Sequence, residues 1–393
     1  MQIISQLLSY AFRPFFLLGA LGAIMVMTLW SLALLGYGPV TTLPMPIFWH
    51  AHEMLFGFVM AVVAGFVLTA VAVWTGRTRL YGAPLGWLIV TWFAGRVVMI
   101  ASAALPGLFV AIVDMLFPAL LVFFFAREVI GGGSRRNYIV VGMVAAIGIL
   151  NAVYHVGATG WLADLDRTAL LLMIHVVLLL ISAIAGRIVP SFTANWLRGQ
   201  GLLQAEHEAP RSTNGVEVAT LFMTLLTGCL ATFVPASAAT GFAALLTAAL
   251  HALRLSRWRG LATRSEPLLF ILHVAYFWLP VGYLLMAWSV LGTSYPPVVA
   301  LHALTMGAIG MTILAMITRV SLGHTGRPLH AARLVVVAYV LMTLTVIVRL
   351  VGPYLGRYYM QSIETATLGW MFAFGLFIWV YWPILTRPGS DED

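Results

Sequence analysis

The chain has 393 residues, of which 62% are hydrophobic and only 9% are charged, and its mean hydropathy is +0.99. Soluble domains are about half apolar, so this composition excludes a water-soluble fold. The net charge of +8 comes from arginines that lie between long apolar runs, and the single cysteine, Cys229, excludes an internal disulfide and a multi-thiolate metal site.

Twelve apolar runs of about 18 to 25 residues, the length that crosses a hydrocarbon core, predict twelve transmembrane helices. The least marked division lies near residue 235. No separate soluble domain fits, so residues 1–393 are predicted to form a single all-α transmembrane domain. The longest loop is predicted at 191–214, and the acidic tail 391–393 is predicted to be solvated. The twelve runs are 15–36, 47–74, 83–104, 107–130, 137–158, 168–190, 215–235, 236–254, 267–290, 297–320, 330–352 and 363–386.

The arginines give the orientation, because loops on the cytoplasmic side of a membrane protein carry the positive charge. Only Arg167, Arg349 and Arg357 fall on the opposite side of the twelve-helix arrangement, and Arg96 lies within a helix. This bias predicts that both termini are cytoplasmic. The arginines on the common side are Arg13, Arg77, Arg79, Arg127, Arg135, Arg136, Arg187, Arg198, Arg211, Arg254, Arg257, Arg259, Arg264, Arg319, Arg327, Arg333 and Arg387.

Helices 2 and 10 share a sequence pattern. Each begins with a histidine, His52 or His302, has a glycine five residues later, and leaves the membrane at Thr-Gly-Arg with the same spacing. Helix 6 also carries a histidine in its outer half, His175, in a looser register. The spacing of four helices between these elements suggests a three-fold pseudo-repeat of four-helix units.

Ionisable side chains inside the hydrocarbon are costly unless paired, which makes each of them a functional candidate. In the predicted topology, several lie at one depth in the outer third of the membrane. Imidazoles at a single depth can bind haem iron or copper, and neither metal requires a thiolate. The residues of this layer are His50, His52, Glu53, Arg96, Asp114, His155, His175 and His302.

Each of these residues also has a structural interpretation. A histidine in a membrane helix can simply hydrogen-bond to a neighbouring helix. Arg96 can form an ion pair with Glu53 or Asp114, or it can contact a haem propionate. Glu53 and Asp114 can equally line a proton path. On the cytoplasmic side, snorkelling or loop hydrogen bonds account for His251.

Four segments carry a resemblance to a known family. They are FRPFF at 12–16, WHAHEMLFG at 49–57, GRIVPSFTAN at 186–195 and RVSLGHTGRP at 319–328. Together they resemble the NnrS family, and the similarity extends over almost the whole chain. The resemblance implies a bacterial inner-membrane protein that contains haem and copper and is associated with denitrification and with defence against nitric oxide. Among the matching positions, His50, His52 and His302 are the first candidates for ligands.

A remoter likeness is architectural. The catalytic subunit of haem-copper oxidases and nitric oxide reductases is similar in having twelve helices in three arcs, with metal-binding histidines on helices 2, 6 and 10. The present chain departs from that pattern because it lacks an adjacent histidine pair on helix 7.

The leading hypothesis is a membrane oxidoreductase that uses haem, expected to be b-type, and copper to reduce nitric oxide or a metal-nitrosyl species. Glu53 and Asp114 would serve proton delivery, and a quinol or another donor would supply electrons. No nucleic-acid partner is expected. The alternatives are a metal-ion or proton-coupled transporter and a haem-based nitric oxide sensor without turnover. The predicted haem contacts are His52, His302, Arg96 and Arg167, and the predicted metal ligands are His50, His52, His155, His175 and His302.

Overall fold

The computed structural model describes residues 2–39, 45–203, 209–210, 214–292 and 296–390. Within these ranges the chain is helical and contains no strand, and twelve helices are long and apolar enough to cross a membrane. The prediction of an all-α polytopic membrane protein is confirmed. The helices are α1 (Phe12–Leu34), α2 (Pro46–Thr75), α3 (Ala83–Ile100), α4 (Gly107–Gly131), α5 (Arg135–Ala158), α6 (Leu165–Gly199), α7 (Asn214–Phe233), α8 (Ala238–Ser256), α9 (Pro267–Leu291), α10 (Pro297–Gly323), α11 (Arg333–Tyr354) and α12 (Gly356–Thr386).

The predicted loop at 191–214 is wrong in its first part. Helix α6 continues through Pro190 to Gly199, because Val189, Ala194 and Leu197 still present buried apolar side chains at helical spacing. Proline is tolerated in membrane helices, where neighbouring groups satisfy the freed backbone. The tail 391–393, which was predicted to be solvated, lies outside the described residues.

The pattern shared by helices 2 and 10 corresponds to a shared local structure. In α2 the α-helix runs to His52, and a π-helical segment, Glu53–Val59, follows directly. In α10 the α-helix runs to His302, and a π-helical segment, Ala303–Gly310, follows in the same way. Such π segments are rare and occur frequently at functional sites. The two histidines therefore occupy equivalent positions at the start of a widened helical turn.

The two helices also end alike. Thr75 and Thr325 each donate a hydrogen bond to the carbonyl four residues earlier, and Gly76 and Gly326 each have a φ of +67°. This left-handed conformation favours glycine. Gly76 directly follows α2, and Gly326 lies in the turn after Gly323, the last residue of α10. Helix α6 carries no π segment in the part of the chain that is described. The structure thus supports the pairing of α2 with α10, while the three-fold repeat stays a prediction.

Arg13, which lies in the FRPFF segment at 12–16, has a structural role. Its guanidinium is buried, and Nη1 donates to the carbonyls of Leu385 at 3.1 Å and Arg387 at 2.7 Å. The last carbonyls of a helix lack intrahelical partners. Arg13 therefore caps the end of α12. The start of α1 is fixed in a similar way, because the Phe12 N–H donates to the hydroxyl of Thr69.

The helices form two compact units. Unit 1 comprises Met1–Met173, Val320–Pro328 and Phe374–Asp393, and unit 2 comprises Ile174–Arg319 and Leu329–Ala373. Unit 1 thus holds α1 to α5, unit 2 holds α7, α8, α9, α11 and most of α6 and α10, and α12 is divided between them at Phe374. The prediction of a single domain over 1–393 stays a prediction.

Candidate metal centre

Unit 1 contains a cluster of buried polar side chains contributed by α2, α3, α4 and α5. Each member is at most 6% exposed, although these helices are otherwise apolar. Buried polar groups are costly without partners, and here each one contacts another member of the group. The cluster consists of His52, Glu53, Arg96, Asp114, Asn151 and His155.

His52 lies at the centre of the cluster and uses both ring nitrogens. Its Nδ1 is 2.9 Å from Oε1 of Glu53, and its Nε2 is 2.8 Å from Oδ1 of Asn151 and 3.4 Å from Oδ2 of Asp114. The ring of Tyr154 packs against the imidazole with a centroid distance of 4.4 Å. These contacts fix the orientation of the imidazole.

Arg96 joins the two carboxylates. Its Nη1 donates to Oε1 of Glu53 at 2.5 Å, and its Nη2 donates to Oδ1 of Asp114. Asp114 is further held at Oδ2, which accepts from Nδ2 of Asn151 at 2.7 Å and faces Nε2 of His155 at 3.0 Å. A buried carboxylate needs charged or hydrogen-bonding partners to remain ionised, and Asp114 has three.

Two glycines make room for the guanidinium. A Cβ on Gly57 would lie 2.8 Å from Nη1 of Arg96, and a Cβ on Gly95 would lie 2.7 Å from Oδ1 of Asp114. Gly57 lies in the π segment of α2, and its carbonyl accepts a hydrogen bond from the indole of Trp92 at 3.0 Å. The widened turn and the missing side chains therefore allow the charged groups of three helices to approach one another.

The contacts of His52 bear on the charge of the cluster. Because Nδ2 of Asn151 donates to Asp114, the amide oxygen of Asn151 faces His52. Both nitrogens of His52 thus face oxygen atoms, and a His52 protonated on both nitrogens would donate to both of them. With Arg96, such an imidazolium would balance the two carboxylates.

The cluster also fits a metal ion. One atom each from His52, Asp114 and His155 lies within 4.8 Å of the others, and all three residues are buried. The two nitrogens lie 3.4 and 3.0 Å from Oδ2 of Asp114, close to the spacing of about 3.4 Å between ligands bound tetrahedrally at about 2.1 Å. A bound cation would replace the Nε2 proton of His52, so the charge balance would be kept. Imidazole and carboxylate together suit copper or zinc.

Two atoms of the cluster have no partner among the described residues. They are Oε2 of Glu53 and Nε of Arg96, and both are buried. A buried carboxylate oxygen and a buried N–H rarely remain unpaired in proteins. Because one accepts and the other donates, they mark places where a water molecule or a small polar ligand would bind within unit 1.

His50, predicted as a ligand of a second centre, does not join the cluster. It is half-buried, and its ring stacks on Trp30 of α1 with a centroid distance of 4.8 Å. Residues two apart on a helix point in nearly opposite directions, as expected for His50 and His52.

His175 and His302 belong to unit 2. His175 is buried against Gly228 of α7, and its Nδ1 has no partner among the described residues. His302 is half-buried, and its Nδ1 donates to the carbonyl of Val298 at 2.8 Å. A hydrogen bond at Nδ1 fixes the tautomer in which Nε2 has a free lone pair, as in many metal-binding histidines. Arg167, a predicted haem contact, is exposed near the start of α6.

Sequence reasoning missed Asn151 and Tyr154. Asn151 is the single amide in the interior of the apolar run of helix 5, which begins at Asn137, and it precedes His155 by four residues, which places both on one face of the helix. This spacing is the signal that would have identified it. The predicted layer was informative nonetheless, because it already contained His52, Glu53, Arg96 and Asp114.

The assignment of His251 to snorkelling is wrong. Its side chain is fully buried, with Nδ1 at 2.7 Å from the Tyr276 hydroxyl and Nε2 at 3.0 Å from the Thr224 hydroxyl. Sequence position alone placed it near a helix end, where an imidazole usually reaches water. The buried partners come from α7 and α9, which no local pattern indicated.

Comparison with known proteins agrees with the motifs. The model of a family described as NnrS protein matches residues 6–388, which is nearly the whole chain. A search of curated proteins gave no match. Because the family model covers all twelve helices and both units, the chain belongs to the NnrS family.

Proposed function

We propose that this protein is a haem- and copper-containing redox protein of the bacterial inner membrane that binds and reduces nitric oxide or a metal-nitrosyl species. The observation that carries the proposal is the buried group of His52, Asp114 and His155 in a member of the NnrS family. Ionisable side chains in an apolar interior are costly and mark functional sites, and imidazole with carboxylate is a ligand set that copper accepts.

Copper would be held by His52, Asp114 and His155. When bound, it supplies a centre that exchanges one electron and accepts a small ligand such as nitric oxide. Glu53 faces Nδ1 of His52 and orients the imidazole from behind, as carboxylates behind a metal-binding histidine commonly do, and Asn151 donates to Asp114 and positions that carboxylate. Arg96 compensates the second carboxylate, so the cluster stays close to neutral with a monovalent cation.

Haem would be held elsewhere in this proposal. His302 suits an axial ligand because its Nδ1 is already engaged by the carbonyl of Val298. His52 was predicted as its companion, but its contacts favour the copper group. The predicted propionate contacts, Arg96 and Arg167, stay predictions, and the two carboxylates on Arg96 favour its ion-pair role.

Proton delivery to a reaction in unit 1 is assigned to Glu53. Its Oε1 is occupied by Arg96 and His52, but its buried Oε2 has no partner among the described residues. That oxygen can accept and pass on a proton. Asp114, in contrast, is engaged at both oxygens and is better suited to holding the cation.

The orientation of the protein in the membrane follows from the distribution of its arginines. With the arginine-rich loops in the cytoplasm, both termini lie on that side. The cluster of unit 1 then lies in the half of the membrane farther from the cytoplasm, because Glu53 is near the start of α2 and His155 near the end of α5. A quinol in the bilayer is the proposed electron donor.

The test is a spectrum and a metal analysis of the purified protein. A Soret band with α and β bands on reduction, together with about one copper per chain, is expected. His155→Ala should remove copper and leave the haem spectrum unchanged, and His302→Ala should remove haem absorbance. A colourless protein without copper, expressed with sufficient haem, would contradict the proposal.

A proton- or metal-coupled transporter is the second candidate, and the buried ion network of Glu53, Arg96 and Asp114 favours it, since such networks also mark ion pathways. Metal-dependent flux into proteoliposomes without a haem spectrum would support it. A haem-based sensor would bind nitric oxide but would not consume it when supplied with a quinol.

A further inference from the structure

The equivalent histidines of α2 and α10 have different surroundings. In unit 1, both ring nitrogens of His52 face side-chain oxygens. In unit 2, Nδ1 of His302 donates to the carbonyl of Val298 in its own helix, and Nε2 forms no hydrogen bond with any described residue. The half-buried imidazole of His302 therefore keeps a lone pair on Nε2 that a ligand can bind.

The glycine five residues after each histidine also has a different neighbour. A Cβ on Gly57 would lie 2.8 Å from Nη1 of Arg96, whereas a Cβ on Gly307 would lie 2.7 Å from Cγ of Trp278 on α9. The side chain of Trp278 is buried, and Gly307 lies in the π segment of α10. A charged group thus lies beside the π segment in unit 1, and an apolar ring lies beside it in unit 2.

Arg349 of α11 brings a positive charge close to His302. Arg349 lies five residues before the end of α11 at Tyr354, and His302 lies five residues after the start of α10 at Pro297. This first segment of α10 packs against α11, and the charge of Arg349 acts on the imidazole of His302. The guanidinium of Arg349 is half-buried, with its Cζ 6.0 Å from the ring centroid of Tyr359.

No carboxylate compensates Arg349 in the part of unit 2 that is described. At the end of the unit where α11 ends and α12 begins, the one acidic side chain among the described residues is Glu364, which is exposed and forms no ion pair with Arg349. Arg96 of unit 1, in contrast, pairs with two carboxylates. Because an arginine stays ionised at any ordinary pH, the surroundings of His302 carry an uncompensated positive charge.

These three features together indicate the class of ligand. A simple anion would pair with Arg349 but would leave Nε2 of His302 without a partner. A bare metal ion would bind the imidazole but would be repelled by the guanidinium. A ligand with a metal ion at its centre, an apolar body and carboxylates at its edge would suit the imidazole, the ring of Trp278 and the arginine. An iron porphyrin has this composition.

We propose that Arg349 binds a propionate carboxylate of the haem that His302 holds, an inference that rests on the haem of the proposed function. Nε2 of His302 supplies the axial ligand, and the guanidinium of Arg349 donates to the propionate. Arg349 does not touch the iron, so it is a positioning residue that fixes the haem by its edge. The predicted contacts Arg96 and Arg167 are less suited, because Arg96 already pairs with two carboxylates and Arg167 is exposed.

The test compares haem with haem dimethyl ester, in which both propionates are uncharged. Each compound is titrated into the full-length protein, purified in micelles from haem-deficient cells, and binding is followed by the Soret band. The preference for haem over the ester should fall about 10- to 100-fold in Arg349→Gln relative to the wild-type protein, as for the loss of a hydrogen bond between charged groups. Partitioning of the two compounds into detergent is the same for every variant and cancels in this comparison.

Two further variants serve as controls. Arg349→Lys keeps the positive charge and should retain most of the preference for haem. Arg357→Gln removes an exposed arginine at the same end of unit 2, where its guanidinium donates to the hydroxyl of Tyr358, and should leave the preference unchanged. A role of Arg349 in stability alone would weaken the binding of haem and of the ester equally, so it would not alter the preference.

An unchanged preference in a folded Arg349→Gln protein would overturn the inference and leave the haem at His302 intact. Arg349→Met, which is uncharged and apolar, is the second variant if Arg349→Gln does not fold, and the same fall is expected. A wild-type protein that binds neither compound, or a His302→Ala protein that keeps the full haem spectrum, would overturn the proposed haem site and this inference with it. None of these measurements depends on nitric oxide turnover.

Discussion

Each unit contains a buried arginine that is paired with carboxylates, and the surroundings of these two arginines differ in charge and access. Arg96 of unit 1 lies between two carboxylates, Glu53 and Asp114, that are both fully enclosed. Arg254 of unit 2 pairs with one carboxylate, Glu217, that reaches the surface, and its other partners are hydroxyl and carbonyl groups.

This difference in charge indicates which of the two networks can bind a cation. Two enclosed carboxylates with one arginine leave a negative charge that a further cation must balance, either a proton on His52 or a metal ion. One carboxylate with one arginine leaves no net charge, so the second network has no reason to bind a cation. Its other partners are uncharged hydroxyl and carbonyl groups.

Replacing each arginine should give the largest difference in stability between the two networks. Arg96→Met leaves two buried carboxylates uncompensated and is expected to lower the free energy of unfolding by about 3–5 kcal/mol. Arg254→Met should cost less, because Glu217 can turn toward solvent. Chemical unfolding in detergent micelles measures both variants. Equal losses would show that access to solvent does not distinguish the two networks.

Gly186, which lies against the guanidinium of Arg254, provides the second test. A Cβ on Gly186 would overlap the guanidinium of Arg254 and approach the Glu217 carboxylate. We expect Gly186→Ala to cost about 3 kcal/mol of unfolding free energy, because the displaced arginine stays buried without its partner. Gly142→Ala, in a helix with nothing within 4 Å of the added methyl, is the control. It should be neutral or slightly stabilising, and a loss as large as that of Gly186→Ala would rule out the steric cause.

Asn151 tests the cation site of unit 1. Asn151→Ala removes the amide that donates to Asp114 and orients its carboxylate, and loss of such an orienting group usually weakens metal affinity by about 10- to 100-fold. Copper titration with a competing chelator measures the change. Asn137, another buried asparagine of α5, bonds to Ser134 outside the cluster, and Asn137→Ala should leave the affinity unchanged. An unaltered affinity in Asn151→Ala would show that copper binds elsewhere.

The smallest expected effect belongs to a helix cap. Ser237 caps α8, where its side chain accepts from the Thr240 N–H at 3.2 Å. Ser237→Ala should lower the free energy of unfolding by about 1 kcal/mol, as for other helix caps, and chemical unfolding in detergent micelles measures the change. A loss as large as that of Arg254→Met would contradict a role limited to capping.

The helical framework was predictable because each span is a property of its own residues. The twelve predicted runs agree with the twelve helices, including the division near residue 235, where α7 ends at Phe233 and α8 begins at Ala238. The error at Pro190 arose because a proline followed by polar residues also occurs where helices end. Only the burial of Ala194 and Leu197 showed that the helix continues.

The candidate site was predictable in part. The topology placed Glu53, Arg96 and Asp114 at one depth with His52 and His155, and the structure brings these five side chains together in unit 1. Depth does not specify which faces of the helices meet. For that reason the sequence left the ion pair and the propionate contact of Arg96 as equal alternatives.

The sequence by itself determined that this protein lies in a membrane, how many membrane spans it has, and the histidine pattern of α2 and α10. Each of these depends on hydrophobicity summed over about twenty residues or on spacing along one helix. Only the tertiary structure decided which buried charges pair, which groups each histidine contacts, and where α-helix gives way to a π segment. These features depend on side chains from four different helices meeting within a few ångströms, and no stretch of one helix contains that information.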